Sequence, residues 1–349
     1  MSQRRLSDQQ RLRIARQQEE RAARARRGAQ RADAMVESGS LGPEDQGEVT
    51  VRYGSQADVI DRQGREHRCY LRSNLDSVVA GDTVTFCAGQ GDQSGVIVAR
   101  DRRRTELRRP DKFGKLRTVA ANIDQVLIVL APRPEPHANL IDRYLVATEN
   151  LGAQATILVN KSDLLASDER RRSIEELLAP YPPLGYRVLY SRAKTGALSQ
   201  LRELLAGQRS ILVGQSGVGK TTLANALLPE INERTNSLSS GRDKGRHTTT
   251  TARLYPLRRE PNSDDEWTAP GALIDSPGIR EFGLWHMSRA DVERGFREFR
   301  DRIGTCRFRD CRHEGEPGCA VLEAVASGAI HPERLASYRR IVASLDEET

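Results

Sequence analysis

The chain has 349 residues, which is enough for two or three domains with separate cores. Charged residues make up 30% of it and aromatic residues 5%, and the formal net charge of +7 favours an anionic partner, nucleic acid first. We expect neither a membrane-spanning nor a secreted protein, because no run approaches roughly 18 apolar residues and the Arg-rich N-terminus has no apolar signal core. Five cysteines, three of them clustered, predict a reducing, cytoplasmic compartment and a metal site instead of a disulfide framework.

Residues 1–43 form a polar arm that carries ten arginines before residue 32. Its aliphatic residues are scattered, so it can be helical in part but cannot bury a core. One interpretation is an arm that binds phosphates without sequence preference, and the other is a solvated tail. The sequence leaves both interpretations open.

Residues 44–108 contain short runs typical of strands, separated by glycine-containing turns. The predicted strands are Glu48–Tyr53, His67–Leu71, Thr83–Cys87 and Gly95–Ala99. This spacing predicts a small barrel, for which the OB-fold is a candidate, and such barrels can bind RNA. The stretch 100–117 is basic and contains Pro110 and Gly114, so we predict a linker or loop that either contacts RNA or is solvated.

From Ile123 onwards, apolar strands alternate with helical patterns, which predicts a doubly wound, mainly parallel sheet. One strand ends in an N-K-x-D sequence formed by Asn160, Lys161 and Asp163. The Asp163 carboxylate can accept from N1–H and N2–H₂ of guanine, a pair of donors that adenine lacks. Lys161 can lie along the base, and Asn160 can tie this loop to the phosphate-binding side.

The next strand leads into Ser191-Arg192-Ala193-Lys194, where ligands also bind in such sheets. A backbone N–H near Ala193 can donate to guanine O6. Ser191, Ala193 and Lys194 therefore join the predicted guanine site. Together the two loops favour GTP over ATP.

A phosphate-binding loop of the form G-x-x-x-x-G-K-[ST] follows the apolar run Ile211–Val213 and precedes a helical pattern. Glycines let backbone N–H groups converge on a phosphate, and the helix N-terminus adds the positive end of its dipole. Lys220 can reach the β- and γ-phosphates, and the Thr221 hydroxyl can bind Mg²⁺. The predicted contacts are Gly214, Gln215, Ser216, Gly217, Val218, Gly219, Lys220, Thr221 and Thr222.

Two later segments have the pattern of nucleotide switches. The polar stretch 232–251 ends in four threonines, of which Thr250, then Thr249, is the favoured Mg²⁺ ligand. Asp275 begins a D-x-x-G sequence, would hold Mg²⁺ through water, and is followed by Gly278, whose N–H would contact the γ-phosphate.

The position that holds a water-orienting glutamine in Ras-like enzymes is Ile279 here, which predicts slow turnover until a partner completes the site. His247 either positions the water when the switch closes or is a loop histidine that touches phosphate or RNA. Lys220 is the other predicted catalytic group.

Three cysteines and one histidine follow in C-x₄-C-x-H-x₅-C spacing, at Cys306, Cys311, His313 and Cys319. Three thiolates and an imidazole suit one closed, tetrahedral and therefore structural Zn²⁺ site. Two helices are predicted to pack against it, Val321–Ala326 and Pro332–Leu345.

The motif order is unusual, because N-K-x-D precedes the phosphate loop, and it predicts a circularly permuted GTPase domain. This order, the sequence 245–250, Asp275-Ser276-Pro277-Gly278 and the cysteine cluster resemble the ribosome small-subunit-dependent GTPase A (RsgA/YjeQ) family. The resemblance runs from about Gly47 to the C-terminus. It implies an OB-fold, a permuted GTPase domain and a zinc domain, with a water-positioning role for His247. It also implies action in late maturation of the small ribosomal subunit, which stimulates GTP hydrolysis.

We therefore predict an Arg-rich tail at 1–43, an OB-fold barrel at 44–108, a permuted GTPase domain at 109–285 and a zinc-binding helical domain at 286–349. The expected protein is a cytoplasmic, monomeric GTPase that uses Mg²⁺ with GTP and binds the small ribosomal subunit and its rRNA. The alternatives are an RNA-binding module that senses GTP and GDP with little hydrolysis, and an unrelated P-loop ATPase.

Overall fold

The computed structural model describes residues 8–75, 77–111, 114–193, 198–228, 252–257, 271–275 and 287–347. These residues belong to two compact units. The first unit holds the N-terminal helix and a small barrel, and the second holds a parallel sheet and the C-terminal helices. Among the described residues, no helix has the combination of length and apolar composition needed to cross a bilayer.

Five strands make the barrel of the first unit: β1 (Glu44–Tyr53), β2 (Gln56–Asp61), β3 (Glu66–Leu71), β4 (Thr83–Cys87) and β5 (Gly95–Arg100). They pair in the order β1-β2-β3-β5-β4, and β4 pairs again with β1, so the sheet closes on itself. All pairs are antiparallel except β3 with β5. This closure is that of a five-stranded OB-fold and confirms the predicted barrel.

Alternation along the strands fills the barrel with apolar side chains. Val49, Val59, Cys69 and Phe86 are buried together, whereas Arg68 and Tyr70 take the outward positions of β3. Burial raises the pKa of the Cys69 thiol to about 12, which keeps it neutral and inert at physiological pH. The barrel is therefore a packed core and carries its polar groups outside.

The N-terminal arm contains a single long helix, α1 (Asp8–Glu37), and its last turns pack on the barrel. Ala32 is fully buried, and Gly28 lies against the β1–β2 turn. The sequence predicted that this arm is helical in part. Neither of the two interpretations, a phosphate-binding arm or a solvated tail, predicted that the helix packs on the barrel. Among the α1 side chains that the structure describes, the buried ones are Gly28 and Ala32, and such small residues leave no apolar periodicity to be recognised.

The basic stretch after the barrel contains two strands, β6 (Glu106–Pro110) and β7 (Leu116–Ala121), which form a separate two-stranded sheet. The prediction of a linker or loop is therefore wrong for these residues. The Asp111 carboxylate accepts from the Lys115 backbone at 3.1 Å, and Gly114 has the left-handed φ of 78° that the turn requires. Of the two residues that indicated a loop, Pro110 is thus the last residue of β6, and Gly114 lies between the two strands.

The second unit contains five parallel strands: β8 (Gln125–Leu130), β9 (Gln154–Val159), β10 (Arg187–Tyr190), β11 (Arg209–Val213) and, after the short strand β12 (Arg253–Pro256), β13 (Ala272–Asp275). Their order is β10-β9-β8-β11-β13. The chain thus enters the sheet at the central strand β8 and continues through β9 to the edge strand β10. It then crosses to the other side of β8, where it forms β11 and β13. A sheet built in this sequence confirms the α/β class and the permuted order of the motifs.

Helices connect and flank these strands: α2 (Ala138–Leu151), α3 (Asp168–Leu178), α4 (Ser199–Leu205) and α5 (Lys220–Leu227). Three more follow: α6 (Arg289–Gly295), α7 (Ala320–Ala326) and α8 (Pro332–Glu347). The helix α2 has a 3.6-residue apolar pattern and buries Ile141, Tyr144 and Leu145, which fixes it between the sheet and the C-terminal helices.

A buried ionic cluster joins α2 to α8. The Arg334 guanidinium contacts Asp142 Oδ1 and donates from Nε to Glu298 Oε1 at 2.6 Å, and the Tyr181 hydroxyl donates to the same Asp142 oxygen at 2.9 Å. Arg334 and Asp142 are almost completely buried. Because unpaired charges there would be costly, the position of α8 on α2 is narrowly defined.

Candidate functional site

The predicted nucleotide residues lie where the parallel strands end. Asn160 follows β9, Ser191 follows β10, Gly214 follows β11 and Asp275 is the last residue of β13. Parallel strands in one sheet end at the same edge, so residues from four separate segments meet there. This edge is where ligands bind in open α/β sheets.

The phosphate loop between β11 and α5 depends on glycine at both of its ends. Gly214 has φ of 140°, and a Cβ there would lie 2.2 Å from the Val129 carbonyl oxygen. Gly219 precedes α5 with φ of 96°, and a Cβ there would lie 2.4 Å from Asn160 Nδ2. Both residues have the left-handed backbone that L side chains avoid and also lack space for one.

Lys220 is held over the loop by its own backbone. Its Nζ donates to the carbonyls of Gly214 and Gln215, each at 2.6 Å. These contacts fold the ammonium group back onto the first two residues of the phosphate loop. The cation therefore lies within the segment whose backbone N–H groups bind phosphate in loops of this type.

Asn160 links three segments of the site. It is buried, and its Nδ2 donates to the Val218 carbonyl at 2.9 Å. Its Oδ1 accepts from Ser191 Oγ at 3.2 Å and from the Ala193 N–H at 3.4 Å. The side chain thus joins the two predicted base-binding loops to the phosphate loop. The Ala193 N–H, predicted to donate to guanine O6, here donates to Asn160.

Lys161 has a left-handed backbone with φ of 56° and extends towards the phosphate loop. Its Nζ donates to the Gly217 carbonyl at 2.6 Å and to the Arg133 carbonyl at 3.2 Å. Its aliphatic stem therefore spans the gap between the two loops. Asp163 lies one turn further on, in the short 3₁₀ helix Ser162–Leu164, and is exposed.

The remaining predicted contacts divide into two groups. Gln215, Ser216, Thr221 and Thr222 lie in the phosphate loop and the first turn of α5, and the last three are exposed. The second group falls outside the described residues and consists of Lys194, His247, Thr249, Thr250 and Gly278. The structure therefore brings together the segments predicted to bind guanine and phosphate. The predicted roles of His247, Thr249, Thr250 and Gly278 in the two switches rest on the sequence alone.

Tyr144 is a residue of this site that the sequence analysis missed. It lies on α2, is buried, and its hydroxyl forms a hydrogen bond with the Gly214 backbone. Burial raises the pKa of Tyr144, and the hydrogen bond opposes that shift in part. In the sequence this tyrosine is one more residue on the apolar face of a helix, so no local signal distinguishes it.

The four predicted metal ligands converge in the C-terminal part of the second unit. The Cys306, Cys311 and Cys319 sulfurs and one His313 nitrogen all lie within 4.8 Å of one another. His313 Nδ1 is 3.2 Å from Cys319 Sγ, 3.5 Å from Cys311 Sγ and 3.7 Å from Cys306 Sγ. Ligands about 2.0–2.3 Å from a tetrahedral centre are separated by roughly 3.5–3.8 Å, so the cluster can hold a metal ion.

Neighbouring groups orient the histidine of this cluster. His313 Nε2 lies 2.7 Å from Glu293 Oε1 on α6, and Arg339 on α8 donates to the His313 carbonyl. Burial, with the adjacent Cys319 and Cys306 sulfurs, raises the pKa of Cys311 to about 12. Glu293 and Arg339 lie outside the cysteine and histidine motif, so the sequence pattern did not identify them as partners of His313.

These arrangements define two chemistries. A Gly-rich loop with a lysine and a helix N-terminus can bind a nucleotide's phosphates, and an N-K-x-D loop tied to it can hold a base. The Cys and His cluster, closed by four protein ligands, can hold a metal without an open position for catalysis.

Comparison with known proteins agrees with both the sheet and the motif order. The family model described as RsgA GTPase matches residues 100–285. The chain is 52% identical over 349 residues to the "Small ribosomal subunit biogenesis GTPase RsgA" of Pseudomonas aeruginosa, with 99% of each chain covered. It is 51% identical to the protein of the same name from Azotobacter vinelandii, again with 99% of each chain covered.

Solved structures give the same answer. YjeQ from Thermotoga maritima superposes with a TM-score of 0.69 at 30% identity, covering 87% of this chain and 99% of that one. YloQ, described as a circularly permuted GTPase, superposes with a TM-score of 0.69 at 24% identity and supports the fold alone. On the family match, and on relatives half identical along almost its whole length, this chain belongs to the RsgA GTPase family.

Proposed function

We propose that the protein hydrolyses GTP to GDP and acts in late maturation of the small ribosomal subunit, which stimulates the hydrolysis. The observation that carries the nucleotide part is the bond from Asn160 Nδ2 to the Val218 carbonyl at 2.9 Å, because it joins the N-K-x-D loop to the phosphate loop. The ribosomal part is supported by the names and the similarity of the relatives.

Guanine recognition follows from the placement of Lys161 and Asp163. The Lys161 stem bridges to the phosphate loop through Gly217 and can cover one face of a planar base. Asp163 is exposed beside it and can accept from the N1–H and N2–H₂ donors of guanine. A base that lacks these donors leaves the carboxylate without partners, which discriminates strongly against ATP.

Phosphate binding is assigned to residues 214–222. Lys220 can exchange its contacts with the Gly214 and Gln215 carbonyls for the β- and γ-phosphates. Mg²⁺ bound with the nucleotide would neutralise charge that develops on the phosphate oxygens. Thr221, Asp275 and Thr250 or Thr249 are the proposed groups for holding it, and Gly278 and Lys194 complete the proposed nucleotide contacts.

Slow turnover in the absence of the subunit is proposed from Ile279, which cannot orient water. We assign the orienting role to His247 in the subunit-bound state. Replacement of His247 by Ala should leave GTP binding in place and remove the stimulated turnover. If the stimulated turnover were unchanged, a group other than His247 would orient the attacking water.

We propose that the metal is one structural Zn²⁺ per chain, held by Cys306, Cys311, His313 and Cys319. The three sulfurs favour a soft, tetrahedral ion over Mg²⁺ or Ca²⁺. Metal analysis of the purified protein should give about one zinc per chain. A content far below that would contradict the assignment.

The functional division of the chain is proposed as an Arg-rich segment at 1–43, a barrel at 44–108, the GTPase at 109–285 and the zinc domain at 286–349. We place the protein in the cytoplasm as a monomer that contacts rRNA of the small subunit. The net charge of +7 supports a polyanionic partner.

The decisive experiment measures GTP turnover of the full chain with and without purified small ribosomal subunits, with large subunits as the control. A missing catalytic element in such enzymes accounts for about 10³–10⁵ in rate, so strong stimulation by small subunits alone is expected. Stoichiometric GTP binding without stimulation would favour an RNA-binding module that senses the nucleotide. Equal affinity for ATP and GTP would favour a P-loop ATPase.

A further inference from the structure

The outer face of the barrel carries a row of alternating aromatic and arginine side chains. Tyr53, at the end of β1, is 46% exposed, and the Arg68 guanidinium carbon lies 4.8 Å from its ring centroid. Asp58 holds that guanidinium in place with a hydrogen bond of 3.2 Å from Nη2. Tyr70 is the next outward residue of β3. We call Tyr53, Arg68 and Tyr70 the barrel platform.

The last turns of α1 cover one end of the barrel platform. The Arg31 guanidinium carbon lies 5.3 Å from the Tyr70 ring centroid. A Cβ on Gly28 would lie 2.7 Å from Ser55 and 3.7 Å from the Tyr70 ring, so the helix backbone is in direct contact with this face. Ala32 is fully buried in the same contact. Tyr53 is open while Tyr70 is covered.

An ion pair holds the helix there. Arg72 Nε lies 3.2 Å from Asp33 Oδ1, and both side chains are about one-third exposed or less. Hydrogen bonding to Ser73 and to Arg72 lowers the pKa of Asp33. Among the described residues, the contact consists of the small residues Gly28 and Ala32, the Arg31 guanidinium on the Tyr70 ring and one partly exposed ion pair. Partly exposed ion pairs contribute little to stability. Such a contact can open without unfolding the barrel.

The last turns of α1 lie on the face of the barrel where other OB-folds bind oligonucleotides. OB-folds bind oligonucleotides on the face of strands 2 and 3 and through the loops that join strands 1–2 and 4–5. Ser55 lies in the β1–β2 turn and Tyr70 on β3, and the Gly42 N–H after the helix donates to Ala88 in the β4–β5 loop at 2.9 Å. The arm therefore contacts a strand and both loops of that face.

We propose that the last turns of α1 are an intramolecular cover over a single-stranded RNA site, and that RNA and the docked helix exclude each other at Tyr70. Aromatic rings on a basic surface stack successive bases with little sequence preference. Arg31 occupies the stacking position on Tyr70 in place of a base. With the helix docked, Tyr53 is the exposed ring of the barrel platform, and the Arg68 guanidinium lies on one of its faces. With the helix displaced, the Tyr70 ring is uncovered as well.

This inference goes beyond the proposed GTPase function and does not depend on it. The barrel platform lies in the first compact unit, and its ligand is tested without nucleotide. Loss of subunit-stimulated turnover would leave the barrel result unchanged, so the two proposals can fail separately.

The test compares two full-length variants that make the same charge change on the same helix. Asp33→Arg replaces the attraction to Arg72 by repulsion, whereas Glu37→Arg changes an exposed residue four positions further on. Binding of a fluorescent oligouridylate of about ten nucleotides is measured by anisotropy at fixed salt. We expect Asp33→Arg to bind at least about five-fold tighter than Glu37→Arg, because it gains a stacking position.

Adding Tyr70→Ala to each variant should abolish the difference between them. Equal binding by Asp33→Arg and Glu37→Arg would overturn the proposal, as would a difference that persists without Tyr70. Circular dichroism checks that each variant is folded.

A second measurement uses the unmodified protein. If RNA displaces the helix, saturating oligouridylate should accelerate tryptic cleavage after Arg31, and protection of that bond would overturn the proposal.

Discussion

The Asn160 side-chain amide donates to the Val218 carbonyl at 2.9 Å, so the end of β9 is bonded to a loop that follows it by nearly sixty residues. The same amide lies where a Cβ on Gly219 would have to be. The base-binding and phosphate-binding loops therefore share one buried side chain. A displacement of either loop therefore shifts the other loop as well.

Gly219→Ala tests this sharing. The methyl group would lie 2.4 Å from Asn160 Nδ2, so we expect GTP affinity to fall by at least about ten-fold as both loops shift. Gly152→Ala is the matched control, because Gly152 also has a left-handed φ, 76°, but has nothing within 4 Å. Both variants should lose about 1–2 kcal/mol of stability from backbone strain. Equal GTP affinity in both, measured by calorimetry, would contradict a shared site.

Glu293→Gln tests the orientation of the metal ligand His313. The carboxylate lies 2.7 Å from His313 Nε2, and loss of such a partner lowers metal affinity by about 10- to 100-fold. Glu323→Gln changes an exposed residue on α7 and should leave the affinity unchanged. Competition with a chelator gives both affinities. If Glu293→Gln bound metal as tightly as the control, the histidine would be oriented by other contacts.

Arg334→Met tests the buried ionic cluster. Removing the guanidinium leaves Asp142 and Glu298 buried without their main partner, which should lower the free energy of unfolding by about 3–5 kcal/mol. Arg340→Met breaks a half-exposed pair with Glu333 on the same helix and should cost about 1 kcal/mol or less. Denaturant unfolding of the two variants measures the difference. A similar loss in both would mean that the cluster contributes little to stability.

Asp61 predicts an acid-dependent loss of barrel stability. Burial alone would raise its pKa, but hydrogen bonds from His67, Arg65 and the Gln63 backbone outweigh burial and lower the pKa from 3.8 to about 2. A depressed carboxyl pKa stabilises the fold above the unfolded pKa, and the contribution, about 2 kcal/mol, is lost as pH falls from about 4 to 2.

The variant Asp61→Asn should therefore be less stable than wild type at pH 7, and the difference should shrink towards pH 2. Thermal unfolding across this pH range gives both values. Asp92→Asn, in an exposed loop, is the control and should follow the wild-type curve. A destabilisation by Asp61→Asn that did not change with pH would contradict the electrostatic origin.

Local sequence decided the strands, the helices and the motifs. The phosphate loop, N-K-x-D and the cysteine spacing are each confined to about fifteen residues, and their chemistry requires particular residue types at fixed separations. Their order was also enough to predict a permuted domain. The hairpin of β6 and β7 was mistaken for a loop because its turn residues are also the residues of linkers.

Tertiary structure decided which distant groups meet. Tyr144 contacts Gly214, Glu293 orients His313, and Arg31 lies on Tyr70, yet none of these pairs is linked by a local pattern. A periodic sequence specifies which face of a helix is buried, but the partner across that face depends on how whole elements pack. The sequence therefore determined the chemistry that the chain carries. The link from Asn160 to the phosphate loop was also predicted from the sequence, whereas packing supplied its partners, the Val218 carbonyl and Ser191 Oγ, and the docking of an arginine-rich helix on the barrel.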